Sequence, residues 1–289
     1  MHYVEPIIRP PSEAGSILLQ VTTGCSHNRC AFCGVYKQKR FGIKPEHIVE
    51  ADIAEAAQLF RDRSRVFLCD GDALIIEQSR LLGILDTVHA RLPWVNRIAT
   101  YANAKSIARK TDPQLRELRE RGLKVLHMGL ESGDDHTLER MHKYGSRECI
   151  VEQGRRAQAA GLKLFVTVIL GLGGTERAEI HARETGRALS ELDPRYVGAL
   201  SLMLIEGTPL HAEATQGAFE VPGPHELLRE LRILVEHTDV SLCLFFANHA
   251  SNYLPIRARL PREKELTLRR IDDALAGRTA LVPEWLRGL

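Results

Sequence analysis

A rhythm of short apolar runs constrains this chain more than any other feature. Ile17–Thr22, Val66–Cys69, Val95–Tyr101, Val125–Gly129, Lys163–Leu170 and Tyr196–Leu204 recur at intervals of roughly thirty to forty residues, each followed by helix-like sequence. Most are continuously apolar rather than alternating, the pattern of strands buried on both faces in a parallel sheet covered by helices. The segments between them carry helix signals. Pro45 fits a first helical turn, with Val49, Ile53, Ala56 and Phe60 following at helical spacing. Asp112-Pro113 reads as an N-cap followed by the first helical residue, Gly122 as the left-handed residue closing that helix, and Gly161 as the end of the helix before the fifth run. Gly171, Gly173 and Gly174 after the fifth run lead to Thr175, a candidate N-cap with Glu176 behind it. Parallel strands joined in sequence by helices wind right-handed. Six such units make a curved α/β sheet, either open and doubly wound or closed into an incomplete barrel.

After Leu204 the rhythm changes. Residues 206–224 read as loop, punctuated by Gly207, Pro209, Gly217, Pro222, Gly223 and Pro224. A helix is expected over His225–His237, a seventh strand over Ser241–Phe246 and a charged helix over Glu263–Ala276. The segment Phe245–Pro255 gathers Asn248, His249, Ser251, Asn252 and Tyr253. It either binds substrate or caps the strands through side-chain hydrogen bonds to backbone, and capping is the preferred reading. No low-complexity linker divides the sequence. The expected organisation is a core over residues 1–204 and an extension over residues 205–289 packed on it.

Formal net charge is +2, with 26% charged and 44% hydrophobic residues and both signs dispersed. That balance gives no electrostatic grip on nucleic acid or a membrane surface. Apolar stretches such as Leu164–Leu172 are too short to span a bilayer. The first residues, with acids and prolines before any apolar run, do not read as a signal peptide. A cytoplasmic, reducing location is expected.

Six cysteines are present, and Cys25, Cys30 and Cys33 crowd into nine residues that also hold Ser26, His27, Asn28, Arg29, Ala31 and Phe32. Cys69, Cys149 and Cys243 are dispersed and read as small buried residues. The three-cysteine loop directly follows the first strand, which in a βα barrel is the catalytic face. Thiolates are soft ligands suited to zinc or iron–sulfur centres. A cubane cluster has four irons, so three thiolates leave one iron open to a small chelating molecule. Two alternatives use the same residues: zinc with His27 or a distant histidine as fourth ligand, and a redox dithiol on Cys30 and Cys33.

The loop resembles the cluster loop of the radical S-adenosylmethionine (SAM) superfamily, commonly C-x3-C-x-Φ-C with Φ aromatic. Phe32 occupies the aromatic position, and the first gap, Ser26–Arg29, is one residue longer than the common pattern. Three later segments continue the resemblance at successive strand ends. Asp70-Gly71-Asp72 stands where the superfamily commonly reads Gly-Gly-Glu and receives the SAM amino group, although Asp and Gly are also ordinary turn residues. Gly129-Leu130-Glu131-Ser132-Gly133-Asp134 resembles the G-x-E-S-G-D segment of proteins related to anaerobic coproporphyrinogen oxidases, Elongator-type enzymes and methylthiotransferases. There Glu131 and Ser132 match positions that contact SAM. Lys143 lies near where relatives place a basic residue for the SAM carboxylate, or is a solvated helix charge. Ile169-Leu170-Gly171-Leu172-Gly173-Gly174 resembles the adenine-side segment.

The resemblance covers residues from about Ile17 to Leu204. It implies a partial (β/α)6 TIM-type barrel with a C-terminal extension. It implies a [4Fe–4S] cluster on Cys25, Cys30 and Cys33, with SAM held by Phe32, Asp70, Gly71, Asp72, Glu131, Ser132, Lys143, Ile169 and Gly171. The implied reaction is reductive cleavage of SAM to a 5′-deoxyadenosyl radical in an oxygen-sensitive enzyme. It is served by a one-electron donor such as flavodoxin or ferredoxin and acts on a small-molecule or otherwise unidentified substrate. A non-catalytic iron–sulfur protein that transfers electrons or assists assembly remains the alternative, beside zinc.

Overall fold

The computed structural model describes residues 1–288. In chain order the elements are β1 (Ile17–Gln20), β2 (Thr22–Thr23), β3 (Gly42–Ile43), α1 (Glu46–Leu59), β4 (Arg65–Cys69), α2 (Gln78–Arg91), β5 (Arg97–Ala102), α3 (Ala104–Ala108), α4 (Asp112–Glu120), β6 (Leu123–Glu131), α5 (Asp135–Arg140), α6 (Arg147–Ala159), β7 (Lys163–Leu170), α7 (Gly174–Leu192), β8 (Tyr196–Ser201), α8 (Pro209–Thr215), α9 (Pro224–Glu236), β9 (Cys243–Ala247), β10 (Ile256–Leu260) and α10 (Lys264–Leu275). Eight strands form one sheet in the order β1-β4-β5-β6-β7-β8-β9-β10, and β2 pairs with β3 separately. The pairs β1–β4, β4–β5, β5–β6, β7–β8 and β8–β9 are parallel; β10 returns antiparallel on β9. This is an α/β fold with a mostly parallel central sheet, and all six expected strands belong to it.

Four local expectations are adjusted. Residues 206–224, expected as loop, contain the helix α8, capped by Thr208, whose hydroxyl accepts from the His211 N–H (3.3 Å). Thr111, not Asp112, caps α4: its hydroxyl accepts from the Gln114 N–H (3.3 Å) while the Gln114 side chain accepts from the Thr111 N–H (2.9 Å). This reciprocal box satisfies two orphan donors at once, and it moves Asp112 into the first turn. At α7 the cap is Gly173 rather than Thr175. The strand β10 was not expected, although Ile256, Ala258 and Leu260 are buried and Arg257 and Arg259 exposed in strict alternation.

The chain forms two compact units. One comprises residues Met1–Asn28, Val35–Met128 and Glu152–Leu164. Its core is built on β1, β4, β5 and the helices α1 and α2: Ile17, Leu19, Phe67, Leu68 and Ile98 of the strands and Ile53, Leu81 and Leu85 of the helices are all fully buried. Each such side chain contributes about 1.5–3 kcal/mol of hydrophobic stabilisation. The other comprises residues Arg29–Gly34, Gly129–Val151 and those from Phe165 onward. Its core takes Val166 and Val168 from β7, Val197 from β8, Phe245 from β9, and Leu189, Leu234 and Ile271 from the helices α7, α9 and α10. β4 is continuously buried as the sequence implies, but β7 alternates. Leu164, Val166, Val168 and Leu170 are buried, while Phe165, Thr167 and Ile169 stay half-buried on the other face.

Candidate functional site

In the first unit the candidate residues gather where β4 ends. Asp70 and Asp72 are both fully buried. One oxygen of Asp70, Oδ2, accepts from the Gly24 N–H (3.0 Å), Gln20 Nε2 (3.1 Å) and Lys39 Nζ (2.7 Å), and the Asp70 N–H donates to Thr22 Oγ1 (2.9 Å). The Gly71 N–H donates to the Gly24 carbonyl (3.1 Å). The Cys25 end of the loop is therefore sewn to the end of β4 from both sides. Lys39 also donates to the carbonyls of Val4 and, over 2.9 Å, Pro6. A Cβ on Gly71 would come within 2.8 Å of the Tyr36 ring and 3.1 Å of Cys25 Cβ, so only glycine allows this approach. Asp72 Oδ2 accepts from Ser26 Oγ and from Asn103 Nδ2 (3.0 Å). Burial nonetheless pushes its carboxyl up to about 6, against the opposing pull of hydrogen bonds from Ser26, Ser106 and Asn103. Asp70 Oδ1, Asp72 Oδ1 and the Tyr36 hydroxyl are buried without a protein hydrogen-bond partner. Orphaned polar atoms are rare in a protein interior, and here three share one neighbourhood.

In the second unit, residues Arg29–Gly34 are fixed by backbone hydrogen bonds: the Ala31 N–H donates to Met141 O (2.9 Å) and the Leu210 N–H donates to Ala31 O (3.1 Å). A Cβ on Gly34, next to Cys33, would lie 2.5 Å from the Ile205 side chain. Phe32 and Ile169 are partly buried and pack on one apolar cluster of Ala31, Met141, Leu172, Leu202, Leu210 and Phe219.

At the end of β6 the Ser132 N–H donates to Leu130 O (2.8 Å), closing a three-residue turn on Glu131 at φ +64°. A side chain held in that region costs on the order of 1–3 kcal/mol. Glu131 pairs with Lys143 (Oε1 to Nζ, 2.9 Å), and Gly129 makes room: a Cβ there would sit 1.9 Å from Glu131 Oε1. Ser132 is fully buried and its hydroxyl meets His181 Nδ1 (2.7 Å). Asp134 receives two hydrogen bonds from Arg177 (2.8 and 2.9 Å) and one from Thr137 Oγ1 (2.6 Å). Burial raises its carboxyl, but these donors prevail and hold it at about 2. Gly171, at φ +84°, donates its N–H to Glu230 (2.7 Å).

Cys25, Cys30 and Cys33 are all partly exposed, whereas Cys69 and Cys243 are buried and burial pushes both thiols up. Among the described residues no three His, Cys, Asp or Glu side chains gather tightly enough for a single metal ion. Thiolates on a cubane bind separate irons and do not converge in that way.

A family model described as the radical SAM superfamily matches residues 19–183, more than half of the chain. The chain belongs to the radical SAM superfamily. Its fold is correspondingly similar to solved structures of that superfamily. The radical SAM methyltransferase TsrM from Kitasatospora setae, with tryptophan and a SAM analogue bound, gives a TM-score of 0.62 at 18% identity over 83% of this chain and 54% of that one. Coproporphyrinogen III oxidase (HemN) from Escherichia coli gives 0.57 at 16% identity over 76% and 51%. At these identities the likeness establishes the fold. In sequence, a curated biotin synthase from Methylococcus capsulatus is 26% identical over 208 residues, which cover 71% of this chain and 61% of the relative. The chain thus spans less than two thirds of the length of the curated relatives it matches. Radical SAM proteins use a [4Fe–4S] cluster and SAM, and the donor set here fits them: three accessible thiols, a glycine cradle against Cys25, and buried acceptor oxygens without donors.

Several participants were missed by sequence reasoning. Lys39 and Tyr36 sit beyond the cysteine motif and carry no signature. His181 and Glu230 lie on helices with no motif to mark them, and both are buried. Glu13, which pairs with Arg97 (2.6 Å) and meets His127 (3.3 Å), precedes the first strand in what reads as loop. In the segment Phe245–Pro255, Ser251 and Asn252 cap β8: the Ser201 N–H donates to Ser251 Oγ (3.1 Å), and Asn252 Nδ2 donates to Ala199 O (2.9 Å).

Proposed function

We propose that this chain is a radical SAM enzyme whose cluster is held by Cys25, Cys30 and Cys33. The observation that carries the reading is Cys25, first of three partly exposed thiols in one short loop, packed against Gly71 beside the unpartnered buried oxygens of Asp70, Asp72 and Tyr36. When bound, the cluster supplies the single electron that cleaves SAM to a 5′-deoxyadenosyl radical for hydrogen abstraction. The chain's own residues bind and orient. Asp70 and Asp72 each keep one buried oxygen for an ammonium group, and Gly71 leaves room for it. Phe32 and Ile169 offer an apolar wall for a flat base. Glu131, with Lys143, presents a charged pair to polar groups of the nucleotide, Ser132 fixes the turn behind it, and Gly171 sets the backbone beside Ile169.

We further read residues 1–204 as the core and residues 205–289 as an extension on it. A reducing compartment, a small one-electron donor such as flavodoxin or ferredoxin, and a small-molecule substrate complete the proposal. Among the described residues no helix is long and apolar enough to cross a membrane. The test is anaerobic reconstitution with iron and sulfide, then dithionite and SAM, with 5′-deoxyadenosine measured. Turnover is expected, and Cys30→Ala abolishes it. Zinc bound without acid-labile sulfide, or a cluster that never cleaves SAM, would refute the proposal.

A further inference from the structure

Two strand ends of the second unit, Leu130–Ser132 and Ile169–Gly171, carry residues assigned above to SAM. Neither is held by its own strand alone. His181 on α7 and Glu230 on α9 are both essentially inaccessible to solvent. His181 Nδ1 lies 2.7 Å from Ser132 Oγ, and Nε2 lies 3.0 Å from Ile169 O and 3.1 Å from Glu230 Oε1. The same Glu230 oxygen accepts the Gly171 N–H over 2.7 Å. One turn further along α7, Thr185 Oγ1 accepts from the Gly133 N–H (2.9 Å) and donates to His181 O (2.5 Å).

A buried imidazole and carboxylate are an inefficient way to gain stability, since apolar side chains of similar volume do as well or better. Glu230 Oε2 has no protein hydrogen-bond partner, so the pair is not even fully satisfied. What it does achieve is geometric. One pair grips the residue after the left-handed Glu131, the carbonyl of Ile169 and the N–H of Gly171. The backbone at Glu131 stays in its costly conformation only where its surroundings over-determine it, and the Ser132–His181 hydrogen bond adds a constraint from α7 to that of the Glu131–Lys143 pair.

We propose that His181 and Glu230 are a positioning pair for SAM, fixing the Glu131 turn and the Ile169–Gly171 segment in one arrangement before the nucleotide arrives. This rests on the reading that those segments meet SAM. Neither residue touches the reacting atoms; both act through Ser132, Ile169 and Gly171.

The test uses full-length protein reconstituted to equal iron and sulfide content, with the SAM dissociation constant measured by equilibrium dialysis. Glu230→Ala and His181→Asn raise it about tenfold, equivalent to about 1.4 kcal/mol. The turnover number at saturating SAM and the spectrum of the reduced cluster without SAM stay at wild-type values. Glu230→Gln, whose amide oxygen still accepts from Gly171, recovers most of the affinity. Ser132→Ala removes a hydroxyl and no other heavy atom; it reports a weaker effect of about threefold if the larger changes do not fold. Variants that lose thermal stability yet bind SAM like wild type would overturn the proposal and leave the pair as plain core residues. Wild-type protein that assembles its cluster but fails to bind SAM overturns the functional reading itself, and this inference with it.

Discussion

Replacing Asp72 with Asn should stabilise the protein at neutral pH and leave it unchanged in acid. Asp72 is fully buried, and burial raises its carboxyl from 3.8 to about 6. Between those values the folded chain keeps a proton that the unfolded chain releases. Its contribution is therefore complete below about pH 4 and is lost as pH rises through about 6. Roughly two pH units at about 1.4 kcal/mol each make the loss about 3 kcal/mol. Asparagine is isosteric: its carbonyl oxygen accepts from Ser26 and Asn103 as Oδ2 does, and its amide stands where Oδ1 already lacks a partner. The assay is urea unfolding of both proteins without cluster, from pH 4 to pH 8. The stability difference should grow from near zero to about 3 kcal/mol in favour of Asp72→Asn. A difference that does not change with pH, or one that shrinks as pH rises, would refute the claim that burial of Asp72 outweighs its hydrogen bonds and the nearby Lys105 charge.

Other substitutions separate holding from binding. Lys39→Met strands the Asp70 carboxylate and should cost about 3–5 kcal/mol in denaturant unfolding, with much of it recovered in the double variant Lys39→Met, Asp70→Asn. Gly71→Ala drives a Cβ into Tyr36 and Cys25; a loss of about 1–3 kcal/mol should accompany lower iron incorporation on reconstitution. Gly129→Ala meets only the flexible ends of Glu131 and Lys143, so thermal stability should move by less than about 2 °C while the KM for SAM rises several-fold.

The sheet was legible in the sequence because parallel strands buried on both faces leave uninterrupted apolar runs, as Val66–Cys69 does in β4. Gly122 and Gly161, at φ +90° and +85°, mark helix ends where only glycine is unstrained, and they read correctly. β10 escaped because its alternation spans only five residues, two of them arginines, beside a segment rich in turn formers. The cysteine loop was legible because thiols in polar sequence have few other uses. Lys39, in the segment between β2 and β3, and His181 and Glu230, on helices, were not, since a polar side chain looks the same in sequence whether it faces solvent or a buried partner.

That distinction decides what the acidic pair after β4 can do. Sequence places Asp70 and Asp72 on equal terms, two residues apart around a glycine. Structure separates them: Asp70 has a buried ammonium at 2.7 Å from Lys39, whereas Asp72 has only neutral donors on its oxygens. A carboxylate paired in this way gains less from a second cation at its open Oδ1, and it also holds Gly24 and the loop that begins there. A buried carboxylate met only by hydroxyl and amide groups remains a net negative charge at neutral pH, and a cation arriving beside it gains more than the same cation gains in water. The ammonium of SAM is such a cation. Affinity at Asp72 should therefore depend on pH, weakening below about 6 as the carboxyl takes up a proton, which the SAM dissociation constant measured from pH 5 to pH 8 would show.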